Sequence, residues 1–119
     1  MDWKIAAHNT RSGHNLVSDE IRDFASPTRS KIYRQMTLLS KYGIGIGPPH
    51  IKLVERGLYE LRVLGVDGVR ILFSINGKVI ILLRAFKKKS PKLPVKEINL
   101  ARSRWSDLKT NNRYVIYRL

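Results

Sequence analysis

Residues 58–86 read LYELRVLGVDGVRILFSINGKVIILLRAF, and how this stretch divides decides the fold. Tyr59, Leu61 and Val63 alternate with Glu60 and Arg62, and Val69, Ile71, Phe73 and Ile75 stand against Arg70 and Ser74 in the same way. Side chains two apart share one face of a strand, so this period predicts strands over 58–64, 69–75 and 78–86, with helices packed on one face and arginines on the other. Gly65 and Asp67-Gly68 break the first gap, and Asn76-Gly77 supplies the positive backbone angles of a two-residue hairpin. The three strands form an antiparallel meander.

Helical spacing frames the meander on both sides. Ser26 reads as an N-cap with Pro27 in the first turn, where a missing N–H costs nothing; Ile32, Met36 and Leu39 follow on one face near Tyr42, and Gly43 marks the stop. Ser18, followed by Asp19, Glu20 and Asp23, reads as the cap of a shorter helix reaching Ala25. Trp3–Ala7 reads as a short edge strand and Asn9–Asn15 as a polar turn. Downstream, Pro94 opens a helix with an apolar stripe of Val95, Ile98, Ala101, Trp105 and Leu108, while Lys96, Arg102 and Arg104 decorate the remainder. Residues Asn111–Leu119 are left as an added strand or a free tail. The expected architecture is α+β over residues 1–119 as one domain: a helical hairpin and a last helix packed on the meander around Ile32, Met36, Leu61, Ile71, Phe73, Ile98 and Trp105.

Composition narrows the function. Lys and Arg number 23 against 9 acidic residues, giving +14, and the excess is uneven: residues 1–57 carry 9 basic and 5 acidic side chains, residues 58–119 carry 14 and 4. Such a balance favours polyanionic partners and says nothing about fold. The chain has no cysteine, so disulfide and thiolate chemistry are out. No apolar run approaches the roughly 20 residues of a membrane span and the first residues lack a signal-peptide pattern, which makes a soluble cytoplasmic protein the expectation. The glycines of GIGIGPPH, residues 43–50, lack the Lys-Ser/Thr ending of a phosphate loop and read as a connection. His8, His14 and His50 show no metal-ligand spacing, and no Gly-x-Ser-x-Gly elbow is present; no metal and no cofactor is expected.

A basic constellation remains: Arg62 and Arg70 on facing strands, Arg84 on the third, and Lys87, Lys88 and Lys89 past its end, with Lys92 beyond. RNA can be cleaved without a metal when its own 2′-hydroxyl is the nucleophile. The enzyme then supplies charge for the transition-state phosphate and a group to move protons. Guanidiniums grip phosphate oxygens in pairs. A lysine of depressed pKa, or Glu60 on the strand of Arg62, is a candidate for the proton.

At these residues the sequence resembles toxins of the RelE/ParE superfamily, most closely a HigB-like branch with phage-derived members. The resemblance rests on GLYELRV (57–63), GVRILFSI (68–75), LLRAFKKKSPKLP (82–94) and KEINLARSRWSD (96–107), and takes in the hairpin ending KYG (41–43). It implies a RelE-like fold and a toxin that enters the ribosomal A site and cuts messenger RNA. The implied partner is a helix-turn-helix, HigA-like antitoxin. By the same resemblance Arg70 is the transition-state arginine, and Lys87, Lys88 and Arg62 complete the catalytic group. Arg84, Lys89 and Lys92 are expected to bind RNA. The late tyrosine or histidine of some relatives has no secure counterpart; Tyr114 and Tyr117 are the available residues. Two readings stand beside this one, a gyrase-directed toxin on the same fold and a non-catalytic phage accessory protein, and charge alone does not separate them.

Overall fold

The computed structural model describes residues 2–66 and 68–117; Asp67 of the first turn and Arg118 and Leu119 at the end of the tail lie outside them. The strands are β1 (Lys4–His8), β2 (Ile51–Glu55), β3 (Leu58–Arg62), β4 (Val69–Asn76), β5 (Val79–Lys87) and β6 (Tyr114–Ile116). They form one six-stranded sheet in the order β2-β3-β4-β5-β1-β6. Helices α1 (Leu16–Arg22), α2 (Ser26–Tyr42) and α3 (Val95–Asn111) complete an α+β, RelE-like arrangement. No helix among the described residues is long and apolar enough to cross a membrane.

The meander is as its alternation predicts, with Leu61 opposite Ile71 and Arg62 opposite Arg70, and Asn76 facing Val79 across the Asn-Gly turn. Three local expectations change and one strand is added. Strand β1 is interior, parallel to β5 and antiparallel to β6, because Ile5, Ala6, Ala7 and His8 are all buried, the pattern of a strand covered on both faces. Strand β2 pairs with β3 although its residues show no clear period, since its Leu53 is 58% exposed. Helix α1 starts earlier than Ser18: the cap is Asn15, whose Oδ1 accepts from the Ser18 N–H at 3.0 Å. Ser26 is likewise the first residue of α2 and not its cap, which is Ala25.

Helices cover both faces of the sheet, not one. Val17, Ile21, Ile32, Met36 and Leu39 of α1 and α2 pack with Leu61, Ile71 and Phe73 on one side. Ala101 and Leu108 of α3 pack with Leu72, Ile81 and Leu83 on the other, so the face expected to carry arginines in the open is largely roofed by α3. Ile98 and Trp105 belong to this second core and are half-buried, while Val95 of the expected stripe is exposed. At the other end of α2, Gly43 has φ +56, and a Cβ there would lie 2.6 Å from the Trp3 indole nitrogen, so only glycine lets β1 lie against the helix end.

Strand β5 carries one residue more than β4 between Leu72 and Phe73, a bulge at Leu83. Strand β1 pairs only as far as Leu82, so among the described residues the next part of β5 has no neighbouring strand on that edge. Side chains take its place. Arg104 Nη1 donates to the Leu83 carbonyl at 2.8 Å, and the Ala85 N–H donates to Glu20 Oε1 at 2.9 Å. Glu20 Oε2 lies 2.8 Å from both Arg84 Nη1 and Arg104 Nη2, and Arg84 Nε donates to Glu97 Oε1 at 3.0 Å. Burial opposes the charge on Arg84, yet the hydrogen bonds and attraction from Glu97 and Glu20 win and raise its pKa. Arg104, expected on the surface of α3, is therefore only 8% exposed.

Removing Glu20 leaves the buried Arg104 without a carboxylate and Arg84 with Glu97 alone, and unpaired buried charge typically costs about 3–5 kcal/mol. Glu20→Ala is expected to lower the unfolding free energy by about 3 kcal/mol or more in urea titrations. Trp105→Ala, which truncates a half-buried ring, is expected to cost less than the roughly 3–5 kcal/mol of a fully buried one.

Candidate nucleic-acid interface

The site begins where the ladder between β4 and β5 runs past both strands. The Lys88 N–H donates to the Gly68 carbonyl at 2.7 Å, one step beyond the Val69–Lys87 pair. Gly68 has φ +73, and a Cβ on it would stand 2.5 Å from the Lys88 carbonyl oxygen; the glycine allows this approach. Side chains alternate along an extended chain, so Arg70, its partner Phe86 and then Lys88 fall on the α3 side while Lys87 turns the other way.

Beyond the end of the α3 roof a depression of about 460 Å³ opens, lined by Arg62, Arg70, Lys88 and Lys89 with Gly68, Ser90 and Pro91. Arg70 is 9% exposed and Arg62 is exposed. Arg70 Nη1 donates to the Val69 carbonyl at 3.1 Å, fixing the guanidinium against its own strand. Its Nε lies 3.9 Å from Glu60 Oε2, close enough for attraction and too far for a hydrogen bond. Neither atom has another partner among the described residues. A buried arginine thus keeps an unused donor beside a carboxylate that neutralises it only in part. Three further cations surround the pair. Such a concave cluster concentrates field and draws in anions.

Two more depressions adjoin the first. One of about 320 Å³ lies between Glu60, Lys88 and Lys92 with Leu53, Leu93 and Ile98; the other, about 380 Å³, runs from Arg62 and Glu60 over Leu53 to Pro48, Pro49 and His50. The structure therefore brings together Arg62, Arg70, Lys88 and Lys89, with Lys92 next door. It does not bring in the other two residues. Lys87 lines none of the three depressions, and Arg84 is engaged by Glu20 and Glu97 beside α3.

The tail tyrosines sit at the opposite sheet edge, on and after β6. Tyr117 shares a hydrogen bond of 2.7 Å with Ser18 Oγ, and burial raises its phenol above the ordinary value despite that bond. Two histidines have structural partners. His8 Nε2 lies 2.6 Å from Asp107 Oδ2, a contact that holds the Asp107 carboxyl below its usual value, and His14 meets Asp19. His50 and Leu53 are the residues that sequence reasoning missed beside the site. Only the β2–β3 pairing brings them there: the Arg62 N–H donates to the His50 carbonyl at 2.7 Å. Among the described residues no three His, Cys, Asp or Glu side chains gather as a metal ion needs.

A six-stranded sheet whose strand ends hold one buried arginine among more exposed cations defines a small α+β protein with a concave cationic surface. Residues 19–106 match the family described as phage-derived protein Gp49-like (DUF891), and the chain belongs to this family, which falls within the RelE/HigB-like toxins in general. The match contains every residue of the three depressions. Membership suggests a phage-derived toxin of a toxin–antitoxin pair, with a cognate antitoxin as its partner. Among curated proteins none matches the chain.

The close approach of Gly68 and Lys88 is directly testable. Gly68→Ala meets both a strained φ and a carbonyl oxygen, so it is expected to lower stability by about 1 kcal/mol or more and to displace Lys88. The variant is expected to leave a heparin column at lower salt than the parent. Gly45→Ala, which has open space around it, is the control and is expected to change neither property.

Proposed function

We propose that the chain is a HigB-like toxin of a type II toxin–antitoxin system, a ribosome-dependent messenger RNA endonuclease of the bacterial cytoplasm that needs no metal. The observation that carries the reading is Arg70: a buried guanidinium anchored to Val69, with Nε unspent, in a polar depression ringed by Arg62, Lys88 and Lys89. Arg104, buried to a similar degree, also leaves Nε unpartnered but spends both Nη groups on Leu83 and Glu20, whereas Arg70 hydrogen-bonds the Val69 carbonyl of its own strand and meets a carboxylate only at 3.9 Å.

In this mechanism Arg62, Lys88 and Lys89 hold the phosphate of the messenger, and Lys92 continues the track. The 2′-hydroxyl of the preceding ribose attacks phosphorus in line. Its proton passes to Glu60, the P–O5′ bond breaks, and Lys88 supplies the proton that the departing 5′-oxygen takes up, leaving a 2′,3′-cyclic phosphate and a 5′-hydroxyl. Arg70 acts where charge grows on the non-bridging oxygens. Its value lies in preorganisation, since the guanidinium is already desolvated and held before substrate arrives. The cognate antitoxin is of helix-turn-helix, HigA-like type and presents an acidic segment to the same cations.

Arg70→Ala is expected to slow single-turnover cleavage on programmed ribosomes by about 100-fold or more with ribosome affinity nearly unchanged, the signature of an interaction made in the transition state. Lys88→Ala and Lys89→Ala are expected to weaken association, and removing each phosphate-binding charge flattens the salt dependence by about 0.7 on single-stranded RNA. In cells, mapping of messenger 5′ ends after induction is expected to show cuts in phase with codons. Full activity of Arg70→Ala overturns the mechanism; DNA damage with intact messages overturns the nuclease reading in favour of a gyrase-directed toxin.

A further inference from the structure

Beside the cationic depression lies a recess of different chemistry. It is lined by Pro48, Pro49, Ile51 and Leu53 with His50 and Lys52, and Arg62 and Glu60 form the border it shares with the site. Leu53 is an aliphatic side chain 58% exposed on an edge strand, and nothing in the fold explains its presence there. His50 is also unexplained by packing. His8 leaves a buried Nδ1 unpartnered but bonds Asp107 through Nε2, and His14 meets Asp19, whereas His50 Nδ1 is buried without a partner and its ring meets no carboxylate among the described residues. Buried polar atoms of structural side chains are usually hydrogen-bonded.

We infer that this recess is a nucleobase subsite, receiving the base of the nucleotide whose phosphate Arg62 and Arg70 hold. The proposal rests on the reading of the cationic depression as an RNA phosphate site, and three observations extend it. The recess and the depression share Arg62, so a ligand bound in one continues into the other. His50 precedes β2, Arg62 ends β3 and Arg70 lies on β4; two strand spacings, about 10 Å, separate the recess from the phosphate, within reach of one nucleotide. The lining suits a flat, weakly polar ring: prolines and leucine offer apolar contact and the imidazole a stacking face.

Inorganic phosphate and adenosine 3′-monophosphate, titrated separately into the full chain and followed by NMR, test this. Phosphate is expected to shift the Arg62, Arg70 and Lys88 amides and to leave the His50 ring signals still. The nucleotide is expected to shift the same amides and also the His50 ring and Leu53 methyls, and to bind about tenfold tighter than phosphate or more, the usual worth of one stacked base. His8 and His14 serve as internal controls. In Leu53→Asn, an exposed position that leaves the core intact, the advantage of the nucleotide over phosphate is expected to fall below about threefold while phosphate binding persists. Phosphate binding with no nucleotide advantage and a silent His50 overturns the subsite and leaves the phosphate reading standing. A recess silent to nucleotide but occupied in the complex with the antitoxin also overturns it and assigns the surface to protein. Failure of phosphate itself to reach Arg62 and Arg70 overturns the phosphate reading on which the subsite depends.

Discussion

The carboxylate of Glu20 holds three elements at one point. Strand β1 stops short, β5 bulges at Leu83, and the edge left open would expose unpaired backbone in the interior. Glu20 from α1 and Arg104 from α3 close that edge by bonding the backbone of Ala85 and Leu83, and Arg84 and Glu97 complete the charge balance. Buried ion networks add little stability over an apolar core of equal volume. What this one provides is register: it fixes where β5 leaves the covered part of the sheet, hence where Phe86 and Lys88 emerge. A slip of one residue would exchange Lys88 for Lys87 at the site.

That constraint explains why arginines of similar look have different work. Arg84 spends its donors on Glu20 and Glu97, and Arg104 spends both Nη groups on the Leu83 carbonyl and Glu20, with its Nε unpartnered among the described residues. Arg70, on the neighbouring strand, is nearly as buried but faces Glu60 across 3.9 Å, a distance that attracts without hydrogen-bonding. Leaving a buried donor and acceptor unmatched is unfavourable, commonly by about 1–3 kcal/mol. Proteins tolerate such sites where the unmatched groups have a ligand to meet. The two oxygens of a phosphodiester are a fitting partner for a guanidinium in this state.

Much of the fold was legible because its signals are local. Period-two alternation over 58–86 with Asn76-Gly77 marked out the meander, and Pro27 with Gly43 bounded α2 nearly to the residue. The interior position of β1 was not legible, since its partner on β5 lies more than seventy residues away and pairing leaves no local trace. The burial of Arg104 was hidden for a related reason: by helical spacing alone it belongs to the polar side of α3, and only the gap beyond β1 draws it inward. Of the cations grouped from the sequence, Arg62, Arg70, Lys88 and Lys89 line one depression. The sequence could not separate Arg84 or Lys87 from them, because the bulge and the strand alternation that do so depend on register.

On the proposed mechanism, the distribution of exposure within the site divides recognition from chemistry. Exposed cations such as Arg62 and Lys89 are well hydrated and mobile, so they draw a polyanion in from a distance and their effect is screened by salt. Arg70 is screened far less, and being already stripped of water it has little reorganisation to undergo as charge builds on a bound phosphate. An antitoxin opposing such a site does not have to reach Arg70. On the proposed mechanism, competing for the outer cations, or blocking the approach to Arg62, is enough to keep RNA away from a buried group that acts only after the strand has been seated. The same logic lets a strongly basic toxin be neutralised reversibly, since the contacts that are easiest to mask are those that govern arrival.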